Sequence, residues 1–300
     1  MLASSILWFM RRSPGFRRWA WQTLHQFLGR KYAGVHWWTF MNYGYAAESD
    51  DAEPLALAPE DEQSRMCAQL YHHVTSAVDI AGREVLEVGC GRGGGSSYIS
   101  RYLAPNHVTG LDIATSQIEF CHRVHGNTII EFIAGSAENL PFDNESFDIV
   151  VNIESSFCYG DMSKFLAQVN RVLRPGGYFL FADIRLVSEM AQLLAELDQC
   201  PLALIRREDI SKNVLRALEL DSDQRAAAAA GIIPKLLLRI MHTFMGVMGT
   251  RIPTLLGSGE LIYYNFVMRK DATLPRLTGA ENIAPNAHSQ IDRKPASRPL

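Results

Sequence analysis

The chain is poor in cysteine, and what it has is scattered: Cys67, Cys90, Cys121, Cys158 and Cys200 are odd in number, far apart and never form a C-x-x-C pair. That excludes a disulfide framework or a structural zinc site as the source of stability, so no metal is expected and a reducing cytoplasm is the expected compartment. Long hydrophobic runs are lacking too. The most apolar late stretch, residues 232–248, is interrupted by Pro234, Lys235, Arg239 and His242 and falls short of the roughly 20 apolar residues a membrane span requires. Ile6 to Met10 is too short for a secretory signal, and arginines follow it instead of preceding it. Neither sign of charge prevails: the net charge is −3, which excludes nucleic acid as a partner selected by global electrostatics.

What is present is enough apolar material for one large core, since 47% of the 300 residues are hydrophobic. One catalytic domain over residues 48–270 is expected, between a basic, aromatic extension (1–47) and a polar tail (271–300) expected to be disordered. The extension carries Arg11, Arg12, Arg17, Arg18, Arg30 and Lys31 and no Asp or Glu, interleaved with Trp8, Phe9, Phe16, Trp19, Trp21, Phe27, Trp37 and Trp38. Two readings stay open: contact with an anionic membrane surface, or a helix packing its aromatics on the domain.

Between residues 79 and 184 short apolar runs alternate with helix-like stretches, which is how parallel sheets with crossover helices are built. Strands are predicted at Glu84–Val88, His107–Asp112, Ile129–Ala134, Phe147–Ile153 and Tyr178–Asp183, with further strands at Leu202–Ile210 and Glu260–Arg269. Helices are predicted at Pro59–Val78, Ser96–Leu103, Ser116–Val124, Met162–Leu173, Ser211–Ala230 and Ile232–Met248, with Arg174-Pro175-Gly176-Gly177 read as a helix stop and turn. The fold expected is α/β: a Rossmann-like, doubly wound, mostly parallel seven-stranded sheet with a helical N-terminal extension and a helical lid over about residues 211–250.

The string Val85-Leu86-Glu87-Val88-Gly89-Cys90-Gly91-Arg92-Gly93-Gly94-Gly95 runs a buried strand into glycines and then a helix. Bare backbone there admits a ligand lying across the strand end and the helix N-terminus. Asp112, ending the second strand, can accept hydrogen bonds from both hydroxyls of a ribose. Gly89-x-Gly91-x-x-Gly94 also satisfies the dinucleotide fingerprint. Glu87 separates the readings, because a carboxylate there would favour a cationic methionine ammonium and repel a pyrophosphate.

Glu87-x-Gly89-x-Gly91-x-Gly93, Gly110-Leu111-Asp112, Ala137 to Phe142, Phe147 to Val151 and Leu173 to Gly177 resemble, in order, the successive motifs of class I methyltransferases. The resemblance implies S-adenosylmethionine as cofactor. It implies that Glu87, Gly89, Cys90, Gly91 and Gly93 wrap its methionine and ribose portions, that Asp112 beside Ile113 holds the ribose, and that Ser136, Ala137 and Glu138 flank the adenine, with Asn152 completing the donor set. Many relatives carry Asp where this chain has Ser136; a serine hydroxyl can also accept the adenine's hydrogen bond, with weaker binding at most.

Over roughly residues 39–270 the chain resembles the mycobacterial phthiotriol and phenolphthiotriol dimycocerosate methyltransferases and related polyketide or sugar O-methyltransferases. The resembling stretches are Met41 to Ala46, Leu70-Tyr71-His72, Glu154 to Tyr159, Gly246 to Thr250 and Gly259-Glu260-Leu261. This implies a methyl ether on a hydrophobic hydroxyl compound or lipid, and peripheral membrane contact through the N-terminus would suit such an acceptor. An alcohol must shed its proton near the transition state, so a base is expected beside the acceptor. Relatives often place histidine after the fourth strand, where this chain has Phe157, so Asp183 and then His72 are the catalytic candidates. Each has a bland reading, as a cap or Arg185 partner and as a packing or solvent-facing residue. Glu154 is read as a wall of the donor site instead of the base, and Tyr43 and Tyr45 as closing over the cofactor or as core. Leu236, Leu237, Ile240, Met241, Phe244, Met245 and Met248 form an apolar stripe at helical spacing, more often core than pocket, and here a candidate lid. The alternatives are methylation at carbon or nitrogen of a sterol, quinone or phospholipid-like acceptor, NAD-dependent hydride transfer, and a non-catalytic membrane scaffold on the same fold.

Overall fold

The computed structural model of the chain describes residues 13–36, 38–49, 54–126, 129–232 and 235–270. The expected disorder of residues 271–300, and Trp8, Phe9, Arg11, Arg12 and Trp37, lie outside the described residues.

Seven strands form one sheet: β1 (Glu84–Val88), β2 (His107–Asp112), β3 (Ile130–Ala134), β4 (Phe147–Ile153), β5 (Leu173–Leu186), β6 (Ala203–Asp209) and β7 (Leu261–Arg269), in the order β3-β2-β1-β4-β5-β7-β6. The first five are mutually parallel, and β7 runs antiparallel to both β5 and β6. Helices cover both faces, so the central strands are buried on both of their sides. Their alternate residues feed two cores. Val85, Ile149, Val151, Leu180 and Ala182 meet α2 (Arg65–Thr75), α3 (Gly94–Tyr102), α7 (Ser211–Ile232) and α9 (Arg251–Gly257) on one face. Leu86, Val88, Val150, Phe179 and Phe181 meet α5 (Met162–Val172) and α6 (Val187–Gln199) on the other.

Two further elements make a roof over the carboxyl ends of the strands. Helix α1 (Pro14–Lys31) begins with Pro14 at its first position and Ser13 Oγ accepting the Phe16 N–H at 3.3 Å, and ends with Arg30 and Lys31 at the negative end of its dipole. Its last turns, with Tyr32 and Trp38, pack against Ala229 of α7 and against Met241, Phe244 and Met245, which belong to α8 (Lys235–Phe244) and the turn after it. Helix α4 (Thr115–Val124) supports α1 from below: the Ser116 hydroxyl donates to Gln26 O at 3.1 Å, and a Cβ at Gly29 would meet Ser116 Cβ at 3.0 Å. The opposite side of α1 leaves Trp19, Leu24 and Phe27 exposed.

The structure differs from expectation in four places. Arg174 to Gly177 is not a turn: Leu173 already pairs with Phe147, Gly176 and Gly177 exchange backbone hydrogen bonds with Lys270, and the segment is the irregular start of β5. Helix α6 was not anticipated, although Met190, Leu193 and Leu197 recur at helical spacing and are buried. Residues 59–78 divide into a 3-10 turn (Pro59–Ser64) and α2. The single helix expected over 232–248 divides as well: α7 runs to Ile232, α8 ends at Phe244, Gly246 turns the chain with φ +71°, and α9 follows.

Candidate active site

Strand β1 delivers the chain into Gly89-Cys90-Gly91-Arg92-Gly93, whose glycines have φ of +78°, +53° and +77°. The loop is pinned to the end of β2, where the Gly89 and Cys90 N–H groups both donate to Leu111 O at 2.7 and 3.0 Å. Asp112 follows, with Oδ2 accepting the Gly91 N–H at 3.0 Å and Oδ1 accepting the Ala114 N–H at 2.8 Å. Each carboxylate oxygen keeps a further lone pair, so the group is oriented yet still able to receive a diol. At Gly89 the protein itself forbids a side chain: a Cβ would overlap Ser155 Oγ. At Gly95 a Cβ would overlap the Tyr71 ring, and that close approach lets the Tyr71 hydroxyl donate to Glu87 Oε1 at 2.5 Å.

A cleft enclosing about 1010 Å³ of empty space, its open mouth included, lies above this loop. Of the donor residues expected from sequence, Gly89, Cys90, Gly91, Asp112, Ile113, Ser136, Ala137 and Glu138 line it, whereas Glu87, Gly93 and Asn152 do not. Glu87 is buried beneath the floor, where Ser96 and Tyr71 both donate to its carboxylate. Burial pushes the Glu87 carboxyl up, and those two hydrogen bonds oppose the shift. Its influence on a ligand would pass through Tyr71, which does line the cleft. Asn152 is buried and donates to Val88 O, Ser155 Oγ and Tyr159 Oη at 2.8, 2.7 and 2.9 Å, fixing the loop after β4. Gly93 caps the start of α3 and packs on Cys121 and Phe132.

Neither expected catalytic residue lies at the cleft. Asp183 is fully buried; it accepts from the Ser156 hydroxyl and the Ile184 N–H and pairs with Arg185 at 2.9 Å, so its oxygens are committed. His72 is exposed on α2, its Nδ1 hydrogen-bonded to the Tyr98 hydroxyl at 2.9 Å. Phe157, where a histidine base would be looked for, packs edge-on against Trp21 at 5.3 Å. Glu154 does line the cleft. Its Oε1 accepts the Tyr43 N–H at 2.8 Å and the Tyr263 hydroxyl at 3.0 Å, and its backbone is left-handed with φ +48°. Tyr43 does not line this cleft but a smaller adjoining one, and Tyr45 stacks on His73 at 4.1 Å.

Sequence reasoning kept a helix packed on the domain as one of two readings, but did not place it at the cleft. Arg18, Trp21, Gln22 and His25, one stripe of α1, line the cleft. Arg18 pairs with Glu138 at 3.1 Å, Arg17 holds Tyr159 O, and burial lowers the His25 pKa while nearby Asp112 opposes that shift. The apolar remainder includes Phe40, Met41, Ile153 and Phe244, the last also lining the adjoining cavity beneath α7. No helix among the described residues is long and apolar enough to cross a membrane, and no cluster of potential metal ligands occurs among them.

A glycine cradle, a ribose-competent carboxylate and a sheet of this order fit an adenosyl ligand, and comparison with known proteins agrees. The family described as Methyltransferase domain matches residues 86–181. A phthiotriol/phenolphthiotriol dimycocerosates methyltransferase of Mycobacterium tuberculosis is 42% identical over 232 residues, 77% of this chain and 85% of that one. A fatty-acid O-methyltransferase of Mycolicibacterium smegmatis is 41% identical over 198 residues, 66% of this chain and 72% of the relative. Among solved structures, geranyl diphosphate C-methyltransferase from Streptomyces coelicolor, in complex with S-adenosyl-L-homocysteine, superposes with a TM-score of 0.59 at 15% identity, covering 82% of this chain and 98% of that one. The chain is an S-adenosylmethionine-dependent methyltransferase, and it belongs to the family of the phthiotriol/phenolphthiotriol dimycocerosates methyltransferases.

Proposed function

We propose that the enzyme methylates a hydroxyl on a hydrophobic, lipid-like acceptor. The observation that carries this reading is a single cleft in which the Asp112 carboxylate and glycine loop adjoin a wall of Phe40, Met41, Ile153 and Phe244 that ends at Glu154. The loop and Asp112 would hold the donor, which supplies an electrophilic methyl group when bound. The apolar wall suits an alkyl acceptor, and the names of the 41–42% identical relatives point the same way. Charge favours a hydroxyl over a carboxylate acceptor, because an anion would face the Asp112 carboxylate in one enclosed space where Arg18 is already paired with Glu138. Roof and lid together exclude water and align the two reactants, from which much of the acceleration of an in-line displacement derives.

The test is incubation of the purified protein with donor carrying a deuterated methyl group and a panel of long-chain alcohols, alkyl phenols and fatty acids. An alkali-stable labelled ether is the expected product. An alkali-labile ester, or label on carbon or nitrogen, would replace this reading. The lid makes a second expectation. Phe244→Asp places a charge where both cavities meet, and should lower acceptor turnover by about 10-fold or more while leaving donor affinity intact. Equal loss of both, measured by calorimetry and initial rates, would make Phe244 a core residue only.

A further inference from the structure

We infer that Glu154 is the catalytic residue that takes the acceptor hydroxyl's proton, and that arrival of the cationic donor in the shared cleft draws it into its carboxylate form. The inference rests on the donor and hydroxyl reading above. Its first support is position: Glu154 follows β4 directly and lines the cleft, where Asp183 and His72 do not. Its second is backbone. Among the described residues three non-glycine residues have positive φ; Ala104 and Glu145 are exposed, and of the three only Glu154 holds this strained conformation at a cavity wall. Its N–H donates to Ala182 O at 2.9 Å, so the sheet imposes the conformation that turns the chain at the cleft. Oε1 is held by Tyr43 and Tyr263, and Oε2 has no partner among the described residues.

The surroundings keep Glu154 from ionising early. Burial pushes its carboxyl up to about 8, with Asp183 on β5 adding to the shift and the hydrogen bonds from Tyr43 and Tyr263, together with Arg225 on α7, opposing it. Tyr71 and Cys67 on α2 face the same group, both with pKa values raised by burial, so neither supplies a competing negative charge near neutral pH. A base hydrogen-bonded to the acceptor oxygen would stand close to the positive charge of a donor held in the same cleft. That charge favours the carboxylate. In the step itself an oxygen lone pair forms the O–CH3 bond, the C–S bond breaks with its pair returning to sulfur, and the O–H proton passes to Glu154. The sulfur is then neutral, and Glu154 again favours the protonated state; the proton returns to water when product leaves.

The prediction can be read without knowing the acceptor. Calorimetry of S-adenosylmethionine binding near pH 7, in buffers of different ionisation enthalpy, should show wild type releasing on the order of one proton more than Glu154→Gln. S-adenosylhomocysteine, whose sulfur is uncharged, should show no such difference. With acceptor, Glu154→Gln should lower turnover by about 100-fold or more at nearly unchanged donor affinity. Tyr263→Phe removes one bond that favours the carboxylate, so the rising limb of kcat/KM for S-adenosylmethionine, which reports the donor-free enzyme, should move to higher pH. Equal proton counts in wild type and Glu154→Gln would overturn the inference and leave the donor reading standing. Absence of any donor heat would overturn both.

Discussion

Asp112→Asn is expected to weaken S-adenosylmethionine binding by about 100-fold or more while the protein stays folded, because two charge-assisted hydrogen bonds to a ribose are worth about 1.5–3 kcal/mol each. In the wild type one carboxylate oxygen accepts the Gly91 N–H and the other the Ala114 N–H, leaving a lone pair on each for the two hydroxyls. The amide keeps the shape and one acceptor. Its NH2 must then oppose one of the two backbone donors, so either the Gly91 or the Ala114 N–H loses its acceptor and the diol loses half its receptor. The local cost should be about 1 kcal/mol, far less than the loss in binding. Titration calorimetry against S-adenosylhomocysteine measures affinity, and thermal melting of the unliganded protein measures the fold. Unchanged affinity would remove Asp112 from the donor site; a collapse of the melting temperature would make it a structural residue.

The strand boundaries were legible because a parallel strand covered on both faces is a closed apolar word. Glu84–Val88, His107–Asp112 and Phe147–Ile153 were read to the residue. The glycine loop and Asp112 were legible for a related reason, since a left-handed turn at a strand end has few alternatives to glycine. Side-chain direction was not legible. Asp183 continues the face of β5 that carries Phe179 and Phe181, so alternation turns it toward the far core, where Ser156 and Arg185 meet it. Glu154 became a candidate only through partners 111 and 109 residues away, Tyr43 and Tyr263, and through a φ that no pattern reports. The stripe Arg18, Trp21, Gln22, His25 was visible as one helix face, but nothing local says which surface a face will meet.

Arg92→Met is expected to cost about 3 kcal/mol, lowering the melting temperature by roughly 6–12 °C, and to loosen the roof over the donor cleft. Arg92 sits between Gly91 and Gly93 and is almost fully buried. Its Nε donates to Trp38 O at 2.5 Å, and its Nη2 donates to Tyr32 O and Val35 O at 3.1 and 2.9 Å. Its guanidinium also lies 3.6 Å from the centroid of Phe120 and 5.2 Å from that of Trp38. Burial lowers its pKa to about 10, so it remains a cation at neutral pH and is neutralised by carbonyl dipoles and ring faces instead of a carboxylate. This one side chain therefore ties the glycine loop to the chain segment that ends α1. Methionine fills much of the volume but leaves three carbonyls, those of Tyr32 and Trp38 buried and that of Val35 half-buried, without that donor. Because Trp21 and His25 of the same helix line the cleft, donor affinity should fall with stability, and protease sensitivity should rise across residues 32–38. Arg92→Lys keeps the charge and loses the fork, so it should recover only part of the loss. A methionine variant that melts and binds like wild type would show that the clasp carries no net energy, and the roof would then have to be held by α4 and the lid alone.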